Sequence, residues 1–126
     1  MIATLLAVAL LGGAPDRVAQ AQDVARPVTR PVAVLRGLDK FSGLAETFEA
    51  VVGAPVAYRR LTITVRACRD TGAAAEAWLE ITDANAPAAP VFAGWMIAAS
   101  PALSALDHPR YDVWVLSCKT VSGDAS

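Results

Sequence analysis

The sequence predicts an all-β domain: a small antiparallel sandwich or barrel of six to seven strands with one short helix. Three observations point there. Apolar side chains alternate with period two in the clearest segments, as in Leu61-Thr62-Ile63-Thr64-Val65-Arg66-Ala67. Turn residues interrupt the chain at short intervals, at Ser42-Gly43, Gly53-Ala54-Pro55, Asp70-Thr71-Gly72 and across residues 84–90 with their two prolines. A chain of 126 residues with 55% hydrophobic composition suffices for one modest core and is too short for two domains.

The elements follow in order. Residues 1–11 are apolar except for Thr4, and Gly12, Gly13 and Pro15 then stop a helix. That run is half the roughly 20 residues a membrane span needs. Ala19-Gln20-Ala21 supplies a small-x-small cleavage site, so residues 1–21 read as a secretory signal peptide. The competing reading is an uncleaved anchor or a buried N-terminal helix. Residues 22–33 read as an extended basic arm, because Arg26-Pro27 and Arg30-Pro31 each fix φ and bias the preceding residue toward extended geometry. Residues 22–40 carry four positive and two negative charges, against six positive and nine negative in residues 41–126. Such an arm either contacts a partner or anionic lipid, or lies along its own acidic body.

Residues 34–120 form the single β domain, and residues 121–126 a flexible tail. Leu61, Ile63, Val65 and Ala67 share one face of a strand; Ala77, Leu79 and Ile81 share a face opposite Trp78, Glu80 and Thr82. Residues 91–97 and 111–118 are apolar on both phases and read as more deeply buried strands. Weaker strands are expected at residues 34–38, 44–52 and 55–58. Ser100 can cap a short helix with Pro101 at its first position, Leu103 and Leu106 on its buried face, and His108-Pro109 as its stop.

Two cysteines in an exported chain are most simply a pair, and Cys68 and Cys118 each end an apolar run. Closing about 50 residues stabilises a fold by roughly 4 kcal/mol in the chain-entropy model. Two buried free thiols are the alternative. A net charge of −1 removes the footprint of a general nucleic-acid binder. One histidine and two cysteines are too few for a Cys/His zinc site, and no cofactor cradle is evident.

His108 is the sole candidate general base, with Asp107, Asp112, Ser100 and Ser104 nearby in sequence. No strained nucleophile turn accompanies it, and a histidine between a helix end and a proline reads as a hydrogen-bonded corner. Glu46 and Glu49 fall on a surface strand, where solvated charge accounts for them. Trp78, Trp95 and Trp114 all fall in strands, either as core or as a row exposed for a sugar ring or a partner's apolar groove. Trp78 and Trp114 lie on the phase opposite the neater apolar face.

The blocks Val91-Phe92-Ala93-Gly94-Trp95-Met96-Ile97-Ala98-Ala99-Ser100-Pro101-Ala102-Leu103 and Leu106-Asp107-His108-Pro109-Arg110-Tyr111-Asp112-Val113-Trp114-Val115-Leu116-Ser117-Cys118 resemble a known family. So do Leu35-Arg36-Gly37-Leu38-Asp39-Lys40 and Leu61-Thr62-Ile63-Thr64-Val65-Arg66-Ala67-Cys68. The chain is similar, over residues 35–118, to the domain-of-unknown-function family numbered 2155, small exported proteins mainly of alphaproteobacteria. Tyr58-Arg59-Arg60 departs from the pattern, which leads one to expect an aromatic residue and a glycine before Leu61. The resemblance carries no catalytic residues. It implies a periplasmic accessory or assembly role at an inner-membrane respiratory complex, NADH:quinone oxidoreductase.

The expectation is therefore a non-enzymatic periplasmic interaction protein, docking on a membrane-protein complex through Arg26, Arg30, Arg36, Trp78 and Trp114. The alternative is a small carbohydrate or peptidoglycan-fragment binder that uses an exposed tryptophan platform.

Overall fold

A computed structural model describes residues 28–70, 74–101, 106 and 108–121. Eight strands follow in order: β1 (Val28–Thr29), β2 (Val32–Asp39), β3 (Leu44–Val51), β4 (Val56–Tyr58), β5 (Leu61–Asp70), β6 (Ala75–Asp83), β7 (Phe92–Ile97) and β8 (Tyr111–Lys119). They form two antiparallel sheets. One runs β1-β5-β6-β7, with β4 also paired to β5; the other runs β3-β2-β8. The sheets stay separate, so the fold is a sandwich and not a closed barrel.

The strands form where period-two patterning lets one face meet the opposite sheet. Leu61, Ile63 and Val65 of β5 and Ala77, Leu79 and Ile81 of β6 are buried, facing Leu35 of β2 and Val113 and Val115 of β8. Burying each large aliphatic side chain is worth about 1.5–3 kcal/mol. The strands apolar on both phases are less buried than their composition suggests. Both β7 and β8 are edge strands; Met96 alone is buried in β7, and Trp114 and Leu116 of β8 face outward. Every strand of a two-layer antiparallel sandwich turns one face to solvent whatever its residues.

Plain alternation fails at two places. In β5 the pairing slips between Val65 and Ala67, leaving Arg66 as the extra residue of a bulge, and Ala67 turns outward opposite Trp78. In β8 the same happens at Leu116. The disulfide joins Cys68 to Cys118, with Cα atoms 5.7 Å apart, and ties the two sheets together.

One further difference from the sequence expectation is physical. The described residues form eight strands, because Val28–Thr29 within the expected arm pairs with Asp70 and Arg69 of β5. No α-helix occurs among the described residues; Ser100 is irregular, Pro101 sits in a 3-10 turn, and residues 102–105 and 107 of the expected helix lie outside them. Residues 1–21, expected as a signal peptide, Arg26 of the expected arm and residues 122–126 of the expected tail also lie outside the described residues.

Gly37 in β2 has no side chain because Tyr58 occupies that space: a Cβ there would come within 2.4–2.8 Å of three ring carbons. The ring is held from other sides by Phe48, stacked at 5.1 Å, and by Tyr111, edge-on at 5.7 Å.

Candidate functional site

Strand β2 runs between two poles. At one, Val32 pairs with Lys119 near the disulfide; at the other, Asp39 pairs with Tyr111. The second pole collects the polar side chains that the sheets bury. Arg110 grips Asp39 with two bonds, Nε to Oδ1 at 3.2 Å and NH2 to Oδ2 at 3.1 Å. The Asp39 carboxylate also accepts the backbone N–H of Phe41 at 2.9 Å. That guanidinium, aided by the Phe41 N–H, holds the Asp39 carboxyl down at about 2 against an ordinary 3.8, although burial opposes it.

Asp83 is the second sealed carboxylate. It accepts His108 Nε2 at 2.8 Å, the backbone N–H of Asn85 at 2.9 Å and Arg60 Nε at 3.1 Å. These bonds, led by the one from His108, bring its carboxyl to about 2. His108 Nδ1 faces the backbone N–H groups of Arg110 and Tyr111, at 3.0 and 3.2 Å. Nδ1 is therefore the acceptor, and Nε2 carries the hydrogen donated to Asp83. The imidazole is buried and both its nitrogens are engaged. The arrangement matches a hydrogen-bonded corner: it aligns the start of β8 and offers no free lone pair to a substrate. Among the described residues no group of three or more His, Cys, Asp or Glu could hold a metal ion.

The two outer faces carry the tryptophans, and they do not form one row. On the three-stranded sheet Arg36 pairs in register with Trp114 on one side and with Thr47 on the other, where its NH1 donates to the threonine hydroxyl at 2.8 Å. Exposed Leu116 and half-buried Val34 and Leu38 extend this surface. On the opposite sheet Trp78 pairs with Trp95, and the Arg69 guanidinium lies over the Trp95 ring at 4.2 Å. Two ion pairs border these rings, Arg69 with Glu76 and Arg66 with Glu80.

The sequence-derived candidates thus divide among three places. Arg36 and Trp114 are neighbours on one face, and Trp78 is on the other. Arg30 belongs to neither; its backbone N–H donates to Cys68 O at 2.9 Å, pinning that part of the arm beside the disulfide. Sequence reasoning missed the polar pole. Its one legible sign was Asp39 ending an apolar strand before Lys40-Phe41-Ser42-Gly43, the composition of a side-chain-capped turn.

No helix among the described residues is long and apolar enough to cross a membrane. Residues 33–118 match a family described as an uncharacterized protein conserved in bacteria, DUF2155. No curated protein and no solved structure matches the chain.

Proposed function

The chain belongs to the DUF2155 family, and from that premise we propose that it is a non-enzymatic interaction protein of the periplasm. The observation that carries this reading is the Arg36–Trp114 pair, set with Leu116 on the outer face of the three-stranded sheet. Tryptophan and arginine are the residue types that dominate binding energy at protein interfaces. The disulfide suits an oxidising compartment. The proposed setting, an accessory or assembly role on the periplasmic side of a respiratory inner-membrane complex, rests on the family resemblance. His108, sealed and doubly bonded, supports the non-enzymatic part.

The test is membrane fractionation of Arg36→Glu and Trp114→Ala, with melting curves to confirm that each variant folds. Both are expected to shift from the membrane fraction to the soluble one. Unchanged retention in folded variants refutes the reading. The Trp78–Trp95 pair, with an arginine stacked on it and ion pairs beside it, supports a second reading as a small carbohydrate or peptidoglycan-fragment binder. That reading predicts saccharide-dependent quenching of indole fluorescence, lost in Trp95→Ala.

A further inference from the structure

Phe41 is the most exposed large apolar side chain among the described residues, at 73%. An exposed phenylalanine is ordinarily free to move, yet the turn that carries this one is tied at every step. Gly43 N donates to Asp39 O at 2.7 Å, and Phe41 N to Asp39 Oδ1 at 2.9 Å. Leu44 N donates to Ser42 Oγ at 3.3 Å, Lys40 N to Arg110 O at 2.8 Å, and Lys40 Nζ to His108 O at 2.8 Å. The Arg110 guanidinium lies over the Phe41 ring at 4.8 Å while its hydrogen bonds hold it on buried Asp39. Exposed Leu44 follows directly. A ring fixed in place before any encounter loses little freedom on binding.

The charge around this turn is asymmetric. Lys40, Arg59, Arg60 and Arg110 have similar exposure, between 33% and 39%. Of the carboxylates they pair with, Asp112 and Glu46 are open to water, but Asp39 and Asp83 are sealed beneath the surface. Among the described residues the pole therefore shows an approaching molecule more positive than negative charge, even though its ion pairs balance within the fold. Arg110 and Arg60 both lie against the Tyr111 ring, at 5.4 and 5.6 Å, and Arg110 also covers Phe41, so its guanidinium links the phenylalanine to the tyrosine that Arg60 flanks.

We propose that the Phe41 turn is a preformed anchor that inserts into an apolar pocket rimmed by carboxylates on a partner protein. The proposal deepens the interaction reading and rests on it, by naming the anchor and the chemistry of the surface that receives it. The aromatic ring supplies the desolvated centre; the cations around it select the rim and lead the approach.

The test places p-benzoylphenylalanine at position 41 of the full chain in its source cells, with parallel substitutions at Leu116 and at Thr64 on the opposite outer face. Position 41 is expected to cross-link one protein, at an apolar residue bordered by Asp or Glu. Position 64 is expected not to capture it. With that protein purified, Phe41→Ala is expected to weaken binding about tenfold or more without lowering the melting temperature, while Phe41→Trp retains it. Affinity falls as ionic strength rises. Cross-linking to lipid, to a second copy of this chain or to scattered proteins overturns the proposal, as does a Phe41→Ala variant that binds like the parent. A partner captured from position 116 but indifferent to Phe41→Ala sinks the anchor and leaves the interaction reading standing. Capture from neither position sinks both.

Discussion

Cys68 and Cys118 meet across the two sheets because each lies two residues beyond a β-bulge, at Arg66 in β5 and at Leu116 in β8. The buried positions before the bulges are odd-numbered, Leu61, Ile63 and Val65 in one strand and Tyr111, Val113 and Val115 in the other. Both cysteines are even-numbered. Without the extra residue in each strand, unbroken alternation would turn both sulfurs outward, away from each other.

A transposition tests this. In Ser117→Cys/Cys118→Ser the thiol moves to a position that plain alternation from Val115 would bury but that the bulge turns outward. Thiol titration is expected to find two free cysteines in this variant and none in the parent, with stability lower by about 4 kcal/mol in denaturant. A disulfide formed in the variant would show that the bulge does not set the aim.

Acid should weaken the polar pole. Asp39 and Asp83 titrate near 3.8 when unfolded and at about 2 when folded. Carboxyls depressed in this way contribute stability that is complete above the unfolded value and is lost as pH falls toward the folded one. Urea midpoints are therefore expected to drop between about pH 4 and pH 2, and the drop to be shallower in Asp39→Asn. Equal slopes for variant and parent would remove Asp39 from the account.

Arg59 adopts φ 56°, a left-handed conformation that disfavours side chains with a Cβ, and it opens the two-residue turn joining Tyr58 to Leu61. It falls in the stretch where the family resemblance leads one to expect a glycine. Arg59→Val is expected to fall about 1–2 kcal/mol below Arg59→Gly by thermal or chemical denaturation. The Arg59–Glu46 bridge, half exposed on both sides, contributes at most about 1 kcal/mol and does not reverse that order.

Gly37→Ala places a methyl group inside the Tyr58 ring, which Phe48 and Tyr111 keep from moving aside. The cost is expected at about 1–3 kcal/mol. A variant as stable as the parent would mean that the ring has room to shift.

The sheets were legible because alternation reports burial directly, residue by residue. It set Trp78 and Trp114 on the phase opposite the buried face, and both lie there half-buried, although composition favours tryptophans of a small β domain as core. It could not say which sheet each strand joins, so it could not separate Trp114 from the Trp78–Trp95 pair. Ala67 was misread because an extra residue leaves no mark in composition. The polar pole was illegible for another reason: Asp39 and Arg110 lie 71 positions apart, and only the folded chain brings them together.

The pairing of Val28–Thr29 with the end of β5 brings the incoming chain alongside the disulfide, whereas Phe41 tips the far end of β2. Eight residues of strand separate the two, on the order of 25 Å. Any leash on the upstream side would thus hold this domain by its heel and leave its aromatic toe reaching outward.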